Sequence, residues 1–172
     1  HFDPSGRLLT EWPIETPLNY NLNAIAVAPD GTIAVPVQNK VILYAPDGRQ
    51  VGGFFHNWIV WETHFAFWGN DLLLANIHHR NTVVAYDRQG AVVGELTSFG
   101  DPQSKLYAPV TLALSPDGSR AVVAHEGDSL LEVFDADRLT PVGRLTLPAR
   151  PHNVAVSPDN RMAWITAPSA GR

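Results

Sequence analysis

Seven histidines and no cysteine set the chemistry open to this chain. Three of the imidazoles, His64, His125 and His152, are far apart in sequence, and each adjoins an apolar run. If a fold draws them together, neutral imidazoles meeting at one point can ligate zinc, copper or iron. Glu62, Glu126 and Asp128 neighbour two of them and can serve as further ligands or as general bases. Trp58, Trp61, His78 and His79 form a second group, whose indoles and ring nitrogens suit a binding lip for a flat ligand or a protein partner. Ordinary explanations compete for both groups. No His-x-Glu-x-x-His or similar spacing fixes a metal, histidine is a common loop residue, and aromatics such as Phe65 and Phe67 also cover interfaces. Ser104 and Ser129 lack any nucleophile-elbow context, so serine hydrolysis has no support.

The elements that must position these groups are short strands. Thr111–Asp135 reads as three apolar runs, Thr111–Ser115, Ala121–Ala124 and Leu130–Phe134, with a weaker fourth run at Pro141–Leu145. Pro116-Asp117-Gly118 is a turn, because proline presets φ and glycine accepts φ > 0. A four-stranded sheet with two apolar faces needs a neighbour on each. The neighbours come from repetition. The first-turn residues Asp30, Asn70, Asp117 and Asp159 are spaced by 40, 47 and 42 positions. Ser5, Asp47, Gln89 and Asp137 at the second turn are spaced by 42, 42 and 48. A period of about 40–50 residues carrying four strands marks β-propeller blades. The fold class expected is all-β, a β-propeller of four-stranded blades. Complete blades are expected at about 24–55, 64–96 and 110–147, with partial blades at 1–16 and 153–172.

The blade motifs resemble the NHL and YVTN repeat families. Phe99-Gly100, Pro109, Leu112-Ala113-Leu114, Asp117-Gly118 and Val133-Phe134-Asp135 follow the NHL order. Ser157-Pro158-Asp159 and Trp164-Ile165-Thr166 are closer to the YVTN form. No Gly-His and Trp-Asp pairing supports WD40 repeats. The resemblance covers nearly the whole chain and implies architecture more than activity. It also implies that a metal-dependent lyase or lactonase-type hydrolase is admissible, since NHL-like propellers include enzymes with histidines at the funnel mouth.

Alternating strands sort residues by face. Both aspartate-bearing turns fall on one side, the bottom, and His56, His64, His78, His79, His125 and His152 fall on the top. His64 and His152 begin inner strands and so approach the central funnel. His78 and His79 are successive, so only one can face it, and the trio His64, His125 and His152 is not expected to converge. The partial blades fit a window from a six- or seven-bladed ring better than a closed four-bladed one. Remaining blades or a partner chain would then cover the open edges.

Composition narrows the rest. A net charge of −5 with scattered Lys and Arg argues against nucleic acid, and no apolar run reaches the ~20 residues of a membrane span. The leading expectation is a non-catalytic recognition or scaffold module, periplasmic or secreted, that binds a protein or small ligand on its top face. The metal-dependent enzyme, with a divalent zinc, copper or iron, is the alternative. A third is an accessory subunit of a redox complex whose cofactor sits on another chain.

Overall fold

The computed structural model describes residues 1–14, 24–55, 64–77, 81–96 and 109–168. Valine, isoleucine, leucine and phenylalanine fill runs of four to seven residues between Asp-, Gly- and Pro-bearing turns, a pattern that suits pleated, two-sided burial and not a helix. Among the described residues the regular structure is β, and no α-helix occurs. The first sheet contains β1 (Ala26–Val27), β2 (Ile33–Val37), β3 (Lys40–Tyr44) and β4 (Gln50–Phe55). The second contains β5 (Phe65–Trp68), β6 (Leu72–Ile77), β7 (Thr82–Asp87) and β8 (Val92–Leu96). The third contains β9 (Pro109–Leu114), β10 (Arg120–His125), β11 (Leu130–Asp135) and β12 (Thr140–Thr146). β13 (Asn153–Val156) and β14 (Ala163–Thr166) pair with each other in a two-stranded sheet. Every sheet is antiparallel with its strands in chain order. This is a β-propeller of four-stranded blades.

Two details depart from the sequence reading. The run at Pro141–Leu145, read as weak, lies within β12, which at seven residues is the longest strand. β10 also continues through His125, which pairs with Leu130 and is not part of the connection.

The hairpin joining the third and outer strands repeats bond for bond. In the first sheet Ala45 N–H donates to Arg49 O at 2.8 Å and Gly48 N–H to Ala45 O at 2.9 Å. Asp87, Ala91 and Gly90 make the same pair of bonds at 2.9 and 3.1 Å, and Asp3, Arg7 and Gly6 make it at 2.9 and 2.9 Å. Residues 1–8 thus hold the corresponding turn of a further blade, with Phe2 bridged to Leu8 as Tyr44 is to Gln50 and Tyr86 to Val92. Beyond that bridge, residues 9–14 form no regular strand.

The blades lock by a recurring knob. Trp12, Phe54 and Leu96 occupy equivalent outer-strand positions 42 residues apart. The Trp12 ring lies against Gly48 and the Phe54 ring against Gly90, which adopts φ of +86°. Phe54 also stacks on Tyr86 at 5.6 Å between centroids. One apolar cluster, including Val41, Phe65, Phe67 and Ile77, joins the first two sheets. A second, including Leu74, Leu96, Val123 and Phe134, joins the second and third.

A Cβ built on Gly90 would come within 2.5 Å of Phe54, whereas one on Gly118 meets nothing within 4 Å although φ there is also positive, +70°. Gly118→Ala should therefore lose only the backbone part, about 1–2 kcal/mol. Gly90→Ala should lose about 2–4 kcal/mol, because overpacking adds to it. Urea midpoints at constant m-value measure both, and equal losses would mean that the Phe54 knob contributes nothing.

Candidate functional site

The bottom face is held by its own polar groups. Asp117 Oδ1 accepts from Ser115 Oγ at 2.6 Å and from Ser119 N–H at 2.9 Å. Asp159 Oδ1 accepts from Ser157 Oγ at 2.6 Å and Arg161 N–H at 3.1 Å. These bonds, the serine hydroxyl's first, hold both carboxyls below the usual carboxylate range. Asp30 accepts from Thr32 N–H at 2.9 Å, the leading cause of its own lowered value, and from Arg88 Nη2 at 2.6 Å. Arg88 also reaches Asn70 O and Thr32 Oγ1 and lies 5.7 Å from the Phe67 ring. That arginine is a clasp between the first two blades. The bottom carboxylates serve turns and blade contacts.

The top face presents histidines fixed by the backbone. His64 O accepts from Asn76 N–H at 2.9 Å, which extends the β5–β6 ladder to the funnel end. His152 N–H donates to Thr166 O at 2.8 Å and so begins β13. The His64 ring is half-buried, and its pKa is lowered first by desolvation and then by the proximity of His152. Their strands belong to sheets separated by the whole third blade. Asn153 Nδ2 lies 2.9 Å from Nδ1 of His152.

His125, unlike His152, is buried. Its side chain is 1% exposed and sits 3.4 Å from the 0%-exposed carboxylate of Glu132, Nε2 to Oε2. Strand parity explains the position. His125 shares a face of β10 with Ala121 and Val123, which pack against the second blade. Burial pulls the His125 pKa below its ordinary value, Glu132 and then Asp128 oppose this, and Arg144 adds to it. Asn76, also fully buried, donates from Nδ2 to Pro109 O at 2.7 Å across the same blade interface.

Glu126 and Asp128 sit on the β10–β11 connection, the first partly exposed and the second exposed. Trp58, Trp61, His78, His79, His56 and Glu62 lie outside the described residues. Among the described residues, no group of three or more His, Asp or Glu side chains is placed to hold a metal ion. The sequence reading passed over Asn76, Glu132 and Arg88. Asn76 and Glu132 carried a signal nonetheless, as the one polar residue in LLLANI and in LLEVF respectively.

Comparison with known proteins supports the same architecture. No protein-family model and no curated protein matches the chain. Solved structures do. The β-propeller domain of Cps50 (Swd1) from Myceliophteria thermophila overlays with a TM-score of 0.71 at 14% identity, covering 86% of this chain and 49% of that one. Hydrazine synthase of Kuenenia stuttgartiensis gives 0.68 at 21% identity, covering 91% and 46%. A functionally unknown protein from Desulfotomaculum acetoxidans gives 0.68 at 16%, covering 85% and 49%. At these identities the likeness is one of fold. The chain spans about half the length of the structures it matches.

Proposed function

We propose that this propeller is a non-catalytic recognition or scaffold module that binds a protein partner or ligand through its top face, with blades of the NHL and YVTN kind. The observation that carries the reading is the placement of His64 and His152 just ahead of β5 and β13, where backbone bonds to Asn76 and Thr166 hold them at the same end of their sheets. Imidazoles there suit a carbonyl or carboxylate on a bound partner. The exposed Asp128 and partly exposed Glu126 on the neighbouring connection add polar contacts at the rim. Trp58, Trp61, His78 and His79 belong to the same proposed face by strand order.

A photo-reactive residue placed at Asp128, on the top, and separately at Asp117, on the bottom, tests this in cells of the source organism. Capture of one defined partner from Asp128 and none from Asp117 is expected, with loss of capture in His64→Ala/His152→Ala. Capture from Asp117 alone, or capture indifferent to the histidines, would overturn the face assignment.

Two imidazoles at the same end of different blades also favour a second reading, a metal-dependent lyase or lactonase-type hydrolase. Calorimetric titration with zinc separates the two. Stoichiometric binding that is abolished by His64→Ala and by His152→Ala would move the assignment to the enzyme. Heat no greater than that of the double variant would leave the recognition module.

A further inference from the structure

Three turns of the bottom face carry the same tripeptide, Pro29-Asp30-Gly31, Pro46-Asp47-Gly48 and Pro116-Asp117-Gly118. An Asp-Gly pair can modify itself. The glycine backbone nitrogen, with no Cβ beside it, is able to attack the aspartate Cγ and close a five-membered imide. The neutral carboxyl is the form attacked, because it can release water. Bonds that favour the ionised carboxylate therefore protect it.

The three turns are alike in backbone. Gly31, Gly48 and Gly118 have positive φ, at +84°, +85° and +70°. Their N–H groups donate to Ala28 O, Ala45 O and Ser115 O at 2.9, 2.9 and 2.8 Å. Each aspartate Oδ1 accepts the N–H two residues on, from Thr32, Arg49 and Ser119 at 2.9, 3.0 and 2.9 Å. All three aspartates are exposed. What separates them is the rest of the carboxyl. Asp30 Oδ2 accepts from the Arg88 guanidinium at 2.6 Å. Asp117 Oδ1 accepts from the hydroxyls of Ser115 and Ser119 at 2.6 and 2.9 Å. Asp47 adds, among the described residues, only the Arg49 guanidinium at 3.9 Å, beyond hydrogen-bond distance, and the two side chains are 66% and 71% exposed.

We propose that Asp47 is a self-modification site, which converts to isoaspartate at its bond to Gly48 while Asp30 and Asp117 stay unchanged. Gly48 N bonds to Asp47 Cγ, and the amide hydrogen and the carboxyl hydroxyl leave as water. A water molecule then opens the imide at one of its two carbonyls. Opening at Cγ restores aspartate. Opening at the main-chain carbonyl leaves the chain running through Cβ and Cγ, with the α-carboxylate free. The product is an isomer of the starting chain, so the step needs no oxidant and no second substrate. It has a structural consequence. The new linkage adds one carbon to a turn closed by Ala45 N–H and Arg49 O at 2.8 Å. Gly48 also lies against the Trp12 ring, where even a Cβ would come within 2.6 Å. A lengthened turn cannot keep both contacts, so the modification loosens Trp12 from the first blade.

Each opening of the imide takes one oxygen from solvent, and trypsin separates the three sites into peptides 8–40, 41–49 and 106–120. The folded chain is kept in heavy-oxygen water beside a sample in urea, both are digested in ordinary water, and the label is localised by fragmentation. In urea the three sites should label at similar rates, since the tripeptide is the same. In the folded protein Asp47 should label faster than Asp30 or Asp117 by roughly tenfold, the effect of one charge-assisted hydrogen bond on each of the others. Isoaspartyl methyltransferase should methylate the aged 41–49 peptide. Asp47→Glu should remove both signals, because the larger ring closes slowly, and Arg88→Gln should bring label to Asp30. Equal labelling of the three sites in the folded state, faster labelling of Asp30 or Asp117, or no label on Asp47 over a period that labels it in urea would each overturn the proposal. Label on Asp30 unmoved by Arg88→Gln would overturn the protective role of the arginine on which the selectivity rests.

Discussion

Val122→Asp is expected to leave the protein unfolded or aggregated at ambient temperature. Val122 is 5% exposed at the centre of β10, in the cluster that binds the third blade to β13–β14. A carboxylate there meets the apolar side chains of Ala124, Leu131 and Val154. Burying an unpaired charge costs several kcal/mol, against a total stability of about 5–15 kcal/mol for a domain. Val133 belongs to the same cluster but is only partly buried, with Gly143 leaving room beside it. Val133→Asp should therefore be the milder variant, soluble with a lowered melting temperature. Circular dichroism on both checks the ranking, and a folded Val122→Asp would mean that the strand's two faces are reversed.

The fold was legible because its signals are local and repeated. Each aspartate-bearing turn, such as Ser115–Arg120, declares itself by proline, glycine and a carboxylate that caps its own backbone. Four strands per period then follow from spacing alone. Phe65 and Phe67 sit in the cluster between the first two blades, as alternation in a buried strand requires. What stayed hidden depends on contacts between periods. His125 could be placed at the second-strand end, but its ring direction is set by parity within β10, and its partner Glu132 lies on another strand. Arg88 looked like one more charge at a surface turn. Its reach of 58 positions to Asp30 appears only once the blades are set side by side.

The buried His125–Glu132 pair yields the other large effect, expected in a double-mutant cycle. His125→Ala removes a 1%-exposed imidazole that lies 3.4 Å from the 0%-exposed carboxylate of Glu132. The cavity and the lost buried polar contact cost about 2–5 kcal/mol, whereas replacing both members by apolar groups of similar volume is close to neutral. His125→Leu/Glu132→Leu should accordingly recover most of what His125→Ala loses. Acid unfolding carries a second signature of the same pair. The pKa of native His125 lies below the ordinary imidazole value of 6.5, chiefly because burial disfavours the charged ring. Between that lowered value and 6.5 the unfolded chain holds a proton that the native protein does not. Stability is then complete above pH 6.5 and falls as pH drops toward the native value. His64, also lowered, has the same sign, so the comparison is made in a His64→Asn background. Asp3, Asp30, Asp117 and Asp159 act only near and below the ordinary carboxyl value of 3.8, outside this window. Urea titrations from pH 7.5 to 5 should show a slope in His64→Asn that is flattened when both Leu substitutions are added. A slope unchanged by them would place the acid sensitivity elsewhere, and a double variant as unstable as His125→Ala would show that the imidazole and carboxylate are not energetically coupled.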